Sequence, residues 1–425
     1  MSPERSPSTS RRFVLQTVAT TGLLGIAGCQ VRSEPAHWTE LDLRGDTTYT
    51  DDPNWRMLGH DTGNTFHNPH ADGPSDDPSV QWTLEDSTDG ETSGHPRRHP
   101  LIVDGTVYTT IGRAETSDTS ENEHRTFVAI DPDTGEFEPI FEAEHRIWRP
   151  TIVDDTVYAA VETSVRAYDL ADGTERWRSD KLSSGLSSVR RVGDAIVVLS
   201  DTELYDYSDG DFEPLPQLYV LDAESGDVRW DSAGASGGNE PRLPLITDSG
   251  VLYPNAASLR DLRSSEPSAE LSTPVNYPVL RDGEYYGSDN GGLVSYDWET
   301  MENRWECRPD DRSIGGGWAN VVDSVVVIDD FRGPGFVGLD RDTGERLWAT
   351  KIWDDSFGAI FWASDEDTVY TAHDGGMTAA LDVTDGSVKW RLNTDEMEWG
   401  LGSGCALADD LWLTVGRDGT LFAIS

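Results

Sequence analysis

Ala380-Leu381-Asp382-Val383-Thr384-Asp385-Gly386-Ser387-Val388-Lys389-Trp390 is the stretch on which the fold turns. Two apolar residues lead into Asp382, a turn containing Gly386 follows, and Trp390 stands eight positions after the aspartate. The same phrase recurs at Ala167-Tyr168-Asp169 with Gly173 and Trp177, at Val220-Leu221-Asp222 with Gly226 and Trp230, and at Gly338-Leu339-Asp340 with Gly344 and Trp348. Two copies are imperfect. Ser295-Tyr296-Asp297 reaches Trp305 but has Met301 in place of the glycine, and Ala129-Ile130-Asp131 keeps Gly135 but has Pro139 in place of the tryptophan. A fixed-period repeat of this kind signals stacked units, none of which buries its faces alone.

Each copy follows a second pattern, an apolar run, an Asp/Gly turn and another apolar run, as in Leu101-Ile102-Val103-Asp104-Gly105-Thr106-Val107-Tyr108. Further copies begin near Thr151, Val192, Leu245, Val279, Val321, Trp362 and Ala406. Alternation and tight-turn residues predict four short antiparallel strands per unit, with aspartate bonding its own turn and glycine taking positive φ. Eight such units around an axis make an all-β, eight-bladed propeller. Trp82, Trp177, Trp230, Trp305, Trp348 and Trp390 are the expected blade-docking residues. The copy from Leu245 runs into Asp261 without its glycine or tryptophan. The last copy stops at Phe422-Ala423-Ile424-Ser425, and the strand it lacks is found at residues 79–84, Ser-Val-Gln-Trp-Thr-Leu. The N-terminal strand is therefore expected to close the ring.

The Ala-Leu-Asp-x-x-x-Gly-x-x-x-Trp phrase resembles the repeat of the pyrroloquinoline-quinone (PQQ) propellers. That family contains quinoprotein alcohol dehydrogenases and the propeller lipoprotein of outer-membrane protein assembly. Asn54-Trp55-Arg56-Met57-Leu58-Gly59-His60-Asp61, followed by Asn68-Pro69, is similar to the lead-in before the first blade of such proteins, so the resemblance spans residues 54–425. It implies the fold; for function it implies either a binding scaffold or a quinone enzyme. The family's alcohol dehydrogenases usually carry adjacent cysteines over the cofactor, whereas this chain has Cys29, Cys307 and Cys405, none adjacent. No position matches the calcium ligands or the catalytic aspartate of that enzyme class. The expectation is a non-enzymatic protein without quinone, calcium or other metal, and the quinoprotein is the alternative.

Ser10-Arg11-Arg12-Phe13-Val14-Leu15 opens an uncharged stretch to Ala27. Arg11 and Arg12 resemble a twin-arginine export signal, and Ile26-Ala27-Gly28-Cys29 resembles a lipobox with Cys29 as the lipid site. Residues 1–28 are expected to be the signal, 29–53 a tether and 54–425 the propeller. The expected location is the outer face of the cell membrane, held by lipid alone.

Formal net charge is −45, with 78 acidic residues against 33 basic ones, and Lys181, Lys351 and Lys389 are the only lysines. This predicts a protein of the haloarchaeal type whose self-repulsion is relieved by salt. It argues against nucleic acid as a partner, because phosphate binding needs a basic face. Asp131-Pro132-Asp133-Thr134-Gly135 and Asp340-Arg341-Asp342-Thr343-Gly344 are similar to calcium loops, but their glycine comes one position too early, and a plain hairpin turn explains both. Cys307 and Cys405 are expected about two blades apart, unpaired and buried.

Arginines and aromatics gather just before the first strand of several units: Arg98, Arg149, Arg190, Arg242, Trp148, Trp318 and Trp399. Innermost strands start beside the channel, so these residues are candidates for a basic channel mouth that takes carboxylates or an extended peptide. Alternatively they only neutralise neighbouring acids. The expected partner is a protein or peptide at the cell surface, bound by a monomer.

Overall fold

The computed structural model describes residues 49, 51–75, 77–85, 98–112, 125–180, 182, 186–200, 205–206, 213–214, 218–231, 243–247, 250–253, 258–260, 267–270, 276–289, 292–308, 319–329, 335–352, 362–373, 377–393, 404–416 and 419–425. Among these there are eight four-stranded antiparallel sheets, one two-stranded hairpin (Tyr205–Asp206 with Glu213–Pro214) and no helix. The signal and tether residues, Arg11, Arg12 and Cys29 included, lie outside the described set.

The first strands of the eight sheets, in chain order, are Leu101–Val103, Ile147–Val153, Leu186–Val192, Leu245–Ile246, Asn276–Arg281, Asn320–Val322, Trp362–Ser364 and Cys405–Ala408. The first strands of sheets 2 and 3, 4 and 5, 6 and 7, and 7 and 8 lie against one another, and that of sheet 1 lies against that of sheet 8. Sheets 1 to 7 are simple meanders. Sheet 8 takes its outer strand, Val80–Leu84, from the other end of the chain. That strand pairs antiparallel with Leu421–Ile424, Trp82 opposite Ala423 and Leu84 opposite Leu421.

The repeat signature explains both the turns and the seams. In the turn joining the third and fourth strands, aspartate accepts from its own turn: Asp131 Oδ1 takes Asp133 N, Thr134 N and Thr134 Oγ1, and Asp222 Oδ1 takes Glu224 N and Ser225 N. The resemblance of Asp131 and Asp340 to calcium loops therefore resolves into capped hairpin turns, Asp340 holding Thr343 in the same way.

The glycine that follows has φ near +70°, and the tryptophan of the preceding sheet lies flat against it. Trp177 meets Gly226 and donates Nε1 to Ala223 O at 2.9 Å; Trp305 meets Gly344 and donates to Arg341 O at 2.7 Å; Trp348 meets Gly386 and donates to Val383 O at 2.9 Å. Trp82 completes the series from sheet 8 to sheet 1, against Gly135 and with a 2.7 Å bond to Pro132 O. Trp390 has no such turn ahead of it, because sheet 8 takes its outer strand from Val80–Leu84, and donates instead to Pro74 O.

Gly344→Ala should therefore lose stability twice. Its φ of +70° is costly for any side chain, and its Cβ would stand 2.6 Å from the Trp305 ring. We expect a loss of about 2–3 kcal/mol in denaturant unfolding; a loss under about 0.5 kcal/mol would mean that this seam yields freely.

The two broken copies explain each other. Sheet 4 has no tryptophan, and the next sheet carries Met301 with φ 56° where the glycine belongs. With no indole to receive, that position has room for a side chain, and Met301 packs beside the cluster of Leu245, Tyr285, Val294 and Tyr296.

Basic residues three positions after the turn glycine clamp the acids of two turns. Arg176 bridges Asp155 and Asp169, and Arg229 bridges Asp194 and Asp222. Lys389 pairs with Asp367 in the equivalent place. Cys307 and Cys405 are both free thiols, in sheets 5 and 8, three sheets apart where two were expected; Cys405 is buried and Cys307 only partly so.

Candidate functional site

The most elaborate polar construction among the described residues is the lead-in, residues 55–72, which we call the belt. Every residue from Trp55 to Asn68 is buried except Arg56. The belt passes the turn-side ends of the first strands in blade order. Trp55 exchanges backbone hydrogen bonds with Ile102, Ile152 N donates to Arg56 O, Ile246 N to Thr62 O, Leu280 N to Gly63 O, and Ser364 N to Phe66 O. Asn68 N donates back to Ser364 O, and Asp410 N to Asp72 O. Where the backbones do not meet, side chains do: Asn320 Nδ2 donates to Thr65 O and Phe66 O, and Asn68 Nδ2 to Leu407 O at 3.0 Å.

Arg190 is the third sheet's contribution. Its guanidinium donates to Leu58 O at 2.6 Å, Asp61 O at 3.1 Å and Pro244 O at 3.4 Å, and it is 1% exposed. Burial pulls its pKa down to about 9, with the Asp61 charge opposing and the Arg149 charge adding to the fall. Asp61, fully buried, accepts from Thr65 N and Thr65 Oγ1. His67 Nδ1 lies 2.8 Å from Ser364 Oγ, which donates to Asn320 Oδ1 at 2.6 Å. The serine proton is thus committed, so His67 Nδ1 carries the hydrogen. Desolvation, then Arg281 and His60, hold that imidazole neutral, its pKa near 2.

Of the channel-mouth candidates, Arg190 and Arg98 meet carbonyls of the protein's own chain. Arg190 faces inward but spends its donors on the protein's own carbonyls. Arg98 is fully buried and donates to Leu84 O at 2.8 Å and Glu85 O at 3.0 Å, so it caps the closing strand rather than a mouth. Both answer a physical demand that the local sequence does not show, namely backbone carbonyls left without strand partners. Arg149 sits beside Arg190 with an unusual φ of 32°. Trp148 is half-buried against the core of sheets 2 and 3, with the Arg146 guanidinium 5.0 Å over its ring. Arg242, Trp318 and Trp399 lie outside the described residues. Sequence reasoning missed Asp61, Asn64 and Asn320; the buried run of polar residues from His60 to Asn68 was the available signal.

The described residues hold no group of three or more His, Cys, Asp or Glu side chains suited to a metal ion. A cleft of about 590 Å³ lies where the two ends of the belt meet, between Asn54, His70, Gln81, Asp133, Asp409 and Ser425. Its lining includes the carboxylates of Asp133, Asp409 and Asp410 and the apolar Ile102, Ala71 and Leu411.

Residues 75–350 and 333–425 match the family described as outer membrane protein assembly factor BamB. Among curated proteins none matches the sequence. The fold is similar to that of BamB from Moraxella catarrhalis, with a TM-score of 0.58 and 17% identity over 82% of this chain and 100% of that one. Quinohemoprotein alcohol dehydrogenase from Comamonas testosteroni aligns with a TM-score of 0.59 and 12% identity over 90% of this chain and 81% of its own. A computationally designed protein, Ika8, aligns at 0.59 and 12% identity over 80% of this chain and 99% of its own. At these identities the structural likeness concerns the fold.

Proposed function

The chain belongs to the family of outer membrane protein assembly factor BamB, and from that premise we propose that it is a lipid-anchored scaffold on the outer face of the cell membrane, docking a protein or peptide rather than turning over a substrate. The family match over residues 75–425 carries the reading. Local structure supports it. Among the described residues the large exposed apolar side chains, Phe137 and Leu347, both lie on outermost strands, Phe137–Ala143 and Arg346–Lys351. An open strand edge with an apolar residue beside it suits an added peptide strand, whose main chain supplies affinity and whose side chains supply choice. Arg11 and Arg12 fit a twin-arginine route and Cys29 fits the lipid site.

The quinoprotein alternative asks for a flat platform and a carboxylate-held cation. Trp148, the described member of the aromatic set, already carries the Arg146 guanidinium 5.0 Å over its ring.

Cys29→Ser should release the protein into the medium or leave an uncleaved precursor, read by fractionation and intact mass. A mutant that is processed and still membrane-bound would end the lipid reading. The protein purified from its host should show no quinone absorption; a stoichiometric quinone spectrum would overturn the scaffold in favour of the dehydrogenase.

A further inference from the structure

A repeat array has no inherent count. Each sheet offers its neighbours similar faces, and the closing strand Val80–Leu84 would complete any ring whose last sheet lacks its outer strand. Something else must specify eight. We propose that the belt is the counting device: a ruler with one site for each first strand, in order, that admits eight blades and no other number. The proposal stands apart from the scaffold reading and does not depend on it.

The pitch is the first observation. Between Trp55 at sheet 1 and Asp72 at sheet 8 the belt meets the eight sheets in sequence, at Trp55, Arg56, Leu58 and Asp61, Thr62, Gly63, Thr65, Phe66 to Asn68, and Asn68 to Asp72. That is about two residues per blade. Polar groups make each station specific, since a carbonyl left facing an apolar side chain at depth costs about 1–3 kcal/mol. A seven-sheet ring would strand at least one station.

Strain is the second. His60, Asn64 and Phe66 all hold φ between 51° and 71°, beside Gly59 at 89°. Left-handed backbone costs a non-glycine residue roughly 1–2 kcal/mol and persists only where the surroundings over-determine it. Here the left-handed residues fold the belt back on itself, with Phe66 N donating to Gly59 O across the loop.

Fit is the third. A Cβ on Gly63 would stand 2.3 Å from Leu280 O, so the belt touches sheet 5 backbone to backbone. Asn64 Nδ2 reaches Leu243 O, Pro244 O and Pro278 O, spanning sheets 4 and 5 from one amide. Gly73, just past the belt, is pinned in turn: its N–H donates to Asp365 Oδ2, which also accepts from Tyr370 Oη, and a Cβ there would meet that hydroxyl at 2.5 Å.

A ruler and a passive filler differ in how far damage travels. Gly63→Ala disturbs the station of sheet 5, and Asn64→Ala those of sheets 4 and 5. Hydrogen exchange of the full chain, followed by mass spectrometry, reads protection in every first strand. If the belt sets the register of the ring, protection should fall at least tenfold not only in Leu245–Ile246 and Asn276–Arg281 but also in Leu101–Val103 and Cys405–Ala408, three sheets away on either side. A loss confined to sheets 4 and 5, or none, overturns the proposal. Inserting two glycines between Gly63 and Asn64 is the harsher test. The ruler then predicts loss of a single cooperative unfolding transition, whereas a ring that unfolds in one step within a few degrees of the parent refutes it. Should the insertion not fold, the two point variants still decide.

Discussion

Deleting residues 79–84 should abolish cooperative folding of the whole ring, not merely loosen one blade. The strand leaves four vacancies at once. Leu421–Ile424, whose side chains are at most 1% exposed, becomes an unpaired edge. Trp82 withdraws from Gly135 and Pro132 O, breaking the indole seam between sheet 8 and sheet 1. The two-way backbone pairing of Ser79 with Ser425 disappears. Buried Arg98 loses its acceptor on Leu84 O. Removing a buried tryptophan alone costs about 3–5 kcal/mol, and a domain holds only about 5–15 kcal/mol in total. The deletion variant should be insoluble, or show strand signal in the far ultraviolet without a fixed aromatic signal and without a sharp melting transition. Trp82→Ala, which keeps the strand, should fold with a loss of about 3–4 kcal/mol. If the deletion variant melts sharply within a few degrees of the parent, the closing strand is dispensable and the pairing of Val80–Leu84 carries little energy.

The closing strand could be read from the sequence because it is written in the repeat's own code. A tryptophan strand missing at one end and present at the other is a local pattern, and strand period and turn chemistry are local as well. The belt was not readable in this way. Its residues have no period, since each answers a different sheet, and its bonds to the sheets run to partners between about 50 and 340 positions away in sequence. Arg190 and Arg98 show the consequence. An arginine ahead of an apolar strand reads the same whether it will meet a ligand or a carbonyl of its own chain. Only the path of residues 55–72 separates the two. Met301 and the tryptophan-less fourth unit show the opposite case. Both irregularities stand in the sequence, but their link needs the observation that one sheet's indole lies on the next sheet's glycine.

Replacing Arg190 by methionine should cost folding stability, not ligand capture. As a channel-mouth residue it would be dispensable to the fold, so the two readings give opposite outcomes. In the structure its guanidinium satisfies carbonyls from Leu58 and Asp61 of the belt and from Pro244 of the next sheet, and its charge faces the buried Asp61. Methionine fills a similar volume but supplies no donor. Leu58 O then loses its guanidinium donor, Asp61 O and Pro244 O keep only bonds from Asn64, and the fully buried Asp61 loses a countercharge, with Arg281 left to face it. A buried carbonyl left without its donor costs about 1–3 kcal/mol, and the lost attraction between the Arg190 and Asp61 charges adds to it. The expected result is a shift of that size in the denaturant midpoint at unchanged slope. Arg190→Met combined with Asp61→Asn should recover part of it: the stranded charge is gone, and asparagine Oδ1 can still accept from Thr65 N. The sign of that coupling is what matters. Recovery means that the arginine belongs to the belt's internal electrostatics. Additive losses would mean that it acts only as a donor to carbonyls. An unchanged midpoint with weakened partner binding would return Arg190 to the channel mouth.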